Sequence, residues 1–262
     1  MKAVKFWSWL AYAMGAVYFL LPLAATFEFS LRARRGTYSF DAYQVVLADP
    51  QFRETFAFSF AAAIVTIIVG TFIVVPTAYW VRLRLPQARS VVEFITLLPL
   101  IIPAIVIVFG HIRMFNTSSY LPLTGSTMGT NVLLICGYAV LSLPYMYRAV
   151  DTGLRTIDVR TLTEAAQSLG GGWFTVLGRV IFPNVFVAIL SGAFLTFAIV
   201  IGEYVFAALL NRPAFGPYMV WMGGNRAYEP AALAVMAFAI TWGCMALIQM
   251  ATRFSKYNKV VR

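Results

Sequence analysis

The sequence predicts an all-α, polytopic membrane protein with six transmembrane helices, and three observations carry that expectation. The chain has 262 residues, 61% of them hydrophobic and only 11% charged, whereas a soluble domain averages roughly 45–50% apolar and 25% charged. The apolar residues gather into long runs, and at about 20 residues per crossing six such runs fit the length. The basic residues, which give a net charge of +10, sit mostly at the ends of those runs, where topology and anionic lipid headgroups account for them. No basic region is interleaved with aromatic residues, so a nucleic-acid partner is not expected. There is no internal repeat and no low-complexity stretch, so a single transmembrane domain over residues 1–262 is expected.

Span 1 is expected at about Phe6 to Phe29, with Trp7, Trp9 and Tyr12 as an aromatic belt near its start. Lys2 and Lys5 precede an apolar stretch too long for a signal-peptide core, without a clear A-x-A site, so an uncleaved first span is expected. The outer segment Ser30 to Glu54 holds Arg32, Arg34 and Arg35, and its Tyr38 to Tyr43 stretch reads as a turn into a short helix. Span 2 runs from about Thr55 to Val81, with Pro76 near its inner end, and Arg82, Arg84 and Arg89 follow around Pro86. Span 3, about Val91 to Phe109, contains Pro99 and Pro103. Two prolines four residues apart disfavour an uninterrupted helix, and a break at membrane depth has to be buried in protein or line a cavity. His111 and Arg113 sit just beyond, before an outer loop from Asn116 to Thr130. Span 4 is expected at Asn131 to Val150, span 5 at Asn184 to Leu210 and span 6 at Pro230 to Phe254. An outer loop, Asn211 to Glu229, separates the last two, and a polar tail runs from Ser255 to Arg262.

With both termini inside, thirteen Lys and Arg fall on inner segments and seven on outer ones. Both termini are therefore expected to be cytoplasmic, although span 1 taken alone leans the other way.

The segment between spans 4 and 5, about Asp151 to Pro183, is the longest polar interruption in the second half of the chain. Thr161 and Glu164 have the spacing of a capping box, so a helix is expected to start there. Leu162, Ala165, Ala166 and Leu169 fall on one face of it. Gly170 to Gly172 should end it, because glycine takes the left-handed turn without steric cost. A second short helix is expected from Trp173 to Phe182, leading to Pro183. Such a small-residued helix outside the bilayer suits docking into a groove of a soluble partner.

These residues carry a resemblance. Glu164-Ala165-Ala166, three residues, Gly170, nine residues, then Val180-Ile181-Phe182-Pro183 resembles the motif E-A-A-x3-G-x9-I-x-L-P of bacterial ABC importer permeases. Val180 stands for the usual Ile and Phe182 for the usual Leu. The Pro99 to Pro103 stretch is similar to a P-x-x-x-P run of the same permeases, and Gly202-Glu203-Tyr204 to an acidic run of their polyamine group. The resemblance covers roughly residues 55–254 and implies the type I (MetI-like) permease fold. It implies a subunit of the bacterial inner membrane that works with two ABC ATPase subunits, a periplasmic solute-binding protein and a second permease, a heterodimer being the expected form. Glu164, Ala165, Ala166, Gly170 and Pro183 would couple to the ATPase, and Glu203, Tyr204, Pro99 and Pro103 would line the solute pathway. The closest likeness is to the spermidine/putrescine group, while the opine, phosphonate, iron(III) and sulfate groups share most features.

The chemistry within the chain agrees with a non-catalytic role. There is no nucleophile triad, no paired catalytic carboxylates and no G-x-x-x-x-G-K-[ST] loop. The chain is therefore expected to hold no cofactor, with ATP and Mg bound by the partner ATPase. One histidine, His111, leaves no multi-histidine metal site, and Cys136 and Cys244 read as small buried hydrophobes. Glu203 is the one acid deep in an apolar run. A carboxylate there costs about 2.5–3.5 kcal/mol if central, so it is expected either to face the pathway, where it would attract a cationic amine, or to pair with Arg212. A secondary carrier working without an ATPase is the other reading. It would show inverted repeats and more intramembrane acids.

Overall fold

The computed structural model describes residues 2–34 and 36–260. Arg35 and Arg262 lie outside the described residues, as do the side chains of Lys2, Lys5, Cys244, Arg253, Lys256 and Lys259. Twelve α-helices follow in order: α1 Lys2–Ser30, α2 Asp41–Ala48, α3 Pro50–Leu83, α4 Arg89–Ile101, α5 Ala104–Met114, α6 Thr127–Arg155, α7 Val159–Ser168, α8 Trp173–Thr175, α9 Phe182–Gly202, α10 Val205–Leu209, α11 Phe215–Asn225 and α12 Glu229–Val260. Four helical stretches are long and apolar enough to cross a membrane: Trp7–Ser30, Pro50–Leu83, Thr127–Arg155 and Trp173–Gly202. The pair Pro86–Ile101 and Ala104–Met114, bent by 100°, makes a fifth. α12, whose first part Glu229–Gly243 is apolar, makes the sixth. The expected six-span, all-α architecture is the one observed.

Three boundaries differ from expectation. Span 4 continues through Asp151 to Arg155, because nothing before Thr156 stops the helix. The helix expected separately over Trp173–Phe182 is continuous with span 5. α8 passes into a π-helical turn, Val176–Ile181, and then into α9. That turn widens the backbone ladder just where Pro183 lacks an N–H. Span 5 in turn ends at Gly202 rather than Leu210.

The chain forms two compact units. In the first, Met1–Glu54 with Tyr218–Gly243, the Tyr218 hydroxyl donates to Asp49 Oδ2 at 2.7 Å and the rings of Phe29 and Tyr228 pack 5.1 Å apart. In the second, Thr55–Pro217 with Cys244–Arg262, the main core joins Val74, Val75, Ala78 and Tyr79 of α3 to Met146, Val150 and Leu154 of α6. Val159 of α7, Val176 and Ile181 of the π turn and Val185 and Ile189 of α9 complete it. Cys136, expected in the interior, is exposed. It lies on the outward side of α6, where a thiol, a small apolar group, needs no polar partner.

Hydrocarbon is as apolar as a leucine side chain, so these helices are held together by close packing rather than by the hydrophobic effect. Gly192 of α9 shows how close that packing is. A Cβ at this position would meet the Met146 sulfur at 2.6 Å and the Met146 Cα at 3.1 Å. The sulfur can swing away but the backbone cannot. Gly192→Leu should therefore lower the thermal midpoint of the detergent-purified protein, in line with an overpacking cost of about 1–3 kcal/mol. Gly223→Ala, where an added Cβ meets nothing within 4 Å, should leave the midpoint within the effect of an ordinary surface change. Equal midpoints for both variants would show that α6 and α9 are not in backbone contact.

Candidate functional site

α7 stands outside the spans and is closed at both ends. Its N-cap is Asp158, whose carboxylate accepts from the Thr161 backbone N–H at 3.2 Å and from the Thr161 hydroxyl at 2.7 Å. The capping box expected at Thr161 does not form, because the helix starts earlier and Thr161 is already in its first turn. Glu164, freed from that role, accepts from Arg160 Nε at 2.8 Å on an exposed face. At the other end Gly170 takes φ +79°, as the glycine run predicted. Its N–H reaches Gln167 O and the Gly171 N–H reaches Ala166 O, both at 2.9 Å, which is the paired bonding of a Schellman turn.

The helix is keyed to the core through one side. Val159 and Thr163 are buried, and Leu162 and Ala166 partly so. The expected apolar face is thus rotated, leaving Ala165 and Leu169 outward, Leu169 90% exposed. Thr163 donates its only hydroxyl hydrogen to Val159 O at 2.7 Å, so the 3.1 Å contact with Tyr79 of α3 is donated by the tyrosine. A buried hydroxyl pair of this kind adds about 0.5–1.5 kcal/mol and costs more when one partner is removed. The outward side presents Glu164, Ala165 and Leu169, and Phe174 lies beyond the glycine turn, 84% exposed.

Two breaks interrupt the spans. Between α4 and α5, Ile102 is extended at φ −85°, ψ 121° and Pro103 follows at φ −57°, ψ 138°, since a residue before proline is pushed out of the helical region. Pro99 stays inside α4, so Pro103 alone makes the break. The second break follows Gly202, where Glu203 is extended. Its carboxylate accepts from the Phe206 N–H at 3.0 and 3.1 Å and from the Ala207 N–H at 3.4 Å, with the Tyr138 hydroxyl beside it. Glu203 is only 9% exposed. The alternative expectation, an ion pair with Arg212, is not met. Arg212 lies over the Phe58 ring at 5.7 Å instead, and the Glu203 oxygens are taken up by two adjacent backbone donors. Tyr204 is exposed. The helices that follow the two breaks, α5 and α10, touch where the rings of His111 and Phe206 lie 5.8 Å apart; the prolines themselves are not part of that contact.

The model of the family described as "Binding-protein-dependent transport system inner membrane component" matches residues 75–256, well over half of the chain. The chain belongs to that family. This permease component is 29% identical over 192 residues, 70% of each chain, to a probable molybdenum ABC transporter permease of Haloferax volcanii. It is 28% identical over 203 residues, 76% of this chain and 74% of the relative, to a spermidine/putrescine transport system permease of Haemophilus influenzae. Its fold is that of a chain in a bacterial alginate ABC transporter crystallised with an alginate pentasaccharide-bound periplasmic protein, at a TM-score of 0.71 and 16% identity, covering 95% of this chain and 96% of that one. The permease is thus a multi-pass membrane component of an ABC importer. Among its described residues no group of three His, Cys, Asp or Glu is placed to hold a metal.

Sequence reasoning missed one cluster of the permease. Asp151, near the C-terminal end of α6, is buried and receives Arg155 at 2.6 Å, Arg89 at 3.4 Å and Arg82 at 3.7 Å. The signal was an acid ending a long apolar run, opposite arginines that end two others.

The cap gives a pH dependence. The Asp158 carboxyl is held below its ordinary value, first by the Thr161 hydroxyl and then by the Thr161 N–H. A group whose folded pKa is depressed stabilises above its unfolded pKa, and that contribution is lost as pH falls through the folded value. Hydrogen exchange corrected for intrinsic rates should show the first-turn amides of α7 equally protected from about pH 8 to pH 5 and opening only below the ordinary carboxylate range. Asp158→Ala should open them at neutral pH, and unchanged exchange in that variant would mean that the cap does not hold the helix.

Proposed function

We propose that this permease forms the solute pathway of an ATP-driven importer and that α7 is the element through which two ABC ATPase subunits, which bind ATP and Mg, drive it. The observation that carries this reading is the mounting of α7. One side is keyed to the spans by Thr163 and Tyr79, and the other offers Glu164 and Ala165 to a partner beside exposed Leu169. Such a helix transmits a push without sinking into the core. Gly170 sets the angle at which the chain leaves it, and Pro183 follows the π turn into span 5. In this reading both termini and α7 are cytoplasmic, the protein lies in a bacterial inner membrane, and its two units work as one permease domain with a second, different permease. A periplasmic solute-binding protein delivers the solute to the outer face.

For the solute we propose a polyamine or related cationic amine. The spermidine/putrescine relative and the buried acid at the break after α9 support it, with Pro99, Pro103, Glu203 and Tyr204 bordering the pathway. Glu203 then acts by its field and by holding the break open, since its oxygens are committed to backbone donors. A second reading, an oxyanion solute, is favoured by the molybdenum-named relative.

The experiment is uptake into proteoliposomes holding the full complex, with radiolabelled spermidine and molybdate as the two probes. Glu164→Lys and Gly170→Asp should each abolish uptake, at least tenfold, while the subunit still inserts. At Gly170 the left-handed φ strains any side chain. Normal uptake by both variants with the ATPase bound would end the coupling reading, and uptake of molybdate but not spermidine would replace the amine reading with the second.

A further inference from the structure

Beneath α7, two acids share three arginines drawn from three helices. Asp151 of α6 faces Arg82 at the end of α3, Arg89 at the start of α4 and Arg155 of its own helix, at 3.7, 3.4 and 2.6 Å. Glu93 of α4 takes Arg89 at 2.8 Å and Arg155 at 3.9 Å. Arg89 and Arg155 therefore each lie within reach of both acids. A shift of α4 along α6 changes the two contacts between the helices, Arg89–Asp151 and Arg155–Glu93, while Arg89–Glu93 and Arg155–Asp151 travel within their own helices, so each charge keeps a partner while the helices slide. A buried carboxylate that lost its partners outright would be strongly disfavoured. One that exchanges them is not.

The cluster is joined to α7 by covalent geometry. Tyr79, which holds Thr163 of α7, and Arg82, which faces Asp151, are both on the last turns of α3. α4, at the far side of the cluster, is the first arm of the span that bends by 100° at Ile102 and Pro103. The line from α7 to the break is thus continuous: Thr163, Tyr79, Arg82, Asp151, then Arg89 and Glu93 on α4.

We propose that this five-residue cluster is the transmission of the permease, in which Arg89 and Arg155 exchange between Asp151 and Glu93 as α7 moves, and that Asp151 is the positioning residue that couples α7 to the broken span. The proposal rests on the coupling reading of α7 and adds the route by which the push reaches the pathway. A discrete element with two arrangements is the physical requirement for such a route.

The test uses the full complex, with its ATPase and sister permease, in proteoliposomes. Nitroxide labels are placed at Ile95→Cys on α4 and Val132→Cys on α6, both exposed positions, with Cys136 and Cys244 replaced by Ala. The distance between labels is measured without nucleotide and with Mg-ATP and vanadate. The unaltered cluster should show a nucleotide-dependent shift. Glu93→Gln and Asp151→Asn should each cut that shift to less than half while the ATPase still co-purifies, and the double variant should do no more than the worse single one. Arg84→Gln, on an exposed arginine absent from the cluster, should leave the shift whole. If Asp151→Asn does not fold, Glu93→Gln, whose side chain is 40% exposed, decides alone. A full shift in Glu93→Gln, or no shift in the unaltered complex, overturns the transmission. Failure of the unaltered complex to retain the ATPase overturns the coupling reading beneath it.

Discussion

A helix that stops inside hydrocarbon exposes amides and carbonyls that no water can satisfy. This chain interrupts its membrane helices twice, and each interruption comes with its own remedy. At Pro103 the proline removes one donor at the start of α5, and the preceding Ile102 N–H still reaches Leu98 O at 2.9 Å. After Gly202 the remedy is a charge: the Glu203 carboxylate supplies two oxygens to the orphan amides of α10. Neither device belongs to a straight span, and the helices that follow the two breaks, α5 and α10, meet at His111 and Phe206. Both interruptions thus satisfy their backbone groups locally, within a turn of the break itself.

The same accounting explains α7. A ten-residue helix in water is marginal on its own. Here Asp158 closes the first turn, Gly170 and Gly171 close the last, and the buried side supplies the rest through Val159, Thr163 and Ala166. The result is a rigid body with one attached face and one free face. Its free face is small at Ala165 and charged at Glu164, and the arginine beside Glu164 keeps that charge locally balanced. Thr163 is informative because a valine would fill the same space more cheaply. The hydroxyl is there to meet Tyr79, and this ties the orientation of α7 to the end of α3 rather than merely to its depth.

Much of this was legible in the sequence because it depends on local rules. Pro103 and Gly170 act through their own backbone restrictions, and both act where expected. The helix start was harder, because Asp158-x-x-Thr161 and Thr161-x-x-Glu164 offer two caps in overlapping register. Choosing between them depends on which face α7 buries, and that is decided by Tyr79, far away in sequence. Glu203 was recognised as an acid that either faces the pathway or pairs with Arg212, and what the sequence does not show is that the chain itself turns back to provide amides. The separate helix after Gly172 was expected from Pro183, whereas a π turn lets the backbone pass a proline without stopping. The Asp151 cluster could not be read from any single stretch, since its members come from three helices.

Where the shared part of the family ends is also instructive. The family model begins at Val75, on the turn of α3 next to Tyr79, and takes in α4 to α11 and most of α12. The core residues under α7, from α3, α6, the π turn and α9, all fall within it except Val74, one position before its start. α1 lies outside it, and none of its apolar crossing is buried in the protein. An apolar crossing with no buried side chain gains little from the packing that holds the other helices, and α1 is tied down at its end, by Phe29 and Ser30. The buried polar obligations lie instead with Tyr79 and Thr163, with Asp151 and its arginines, and with Glu203. Each of these groups meets a partner that a buried site would otherwise leave bare.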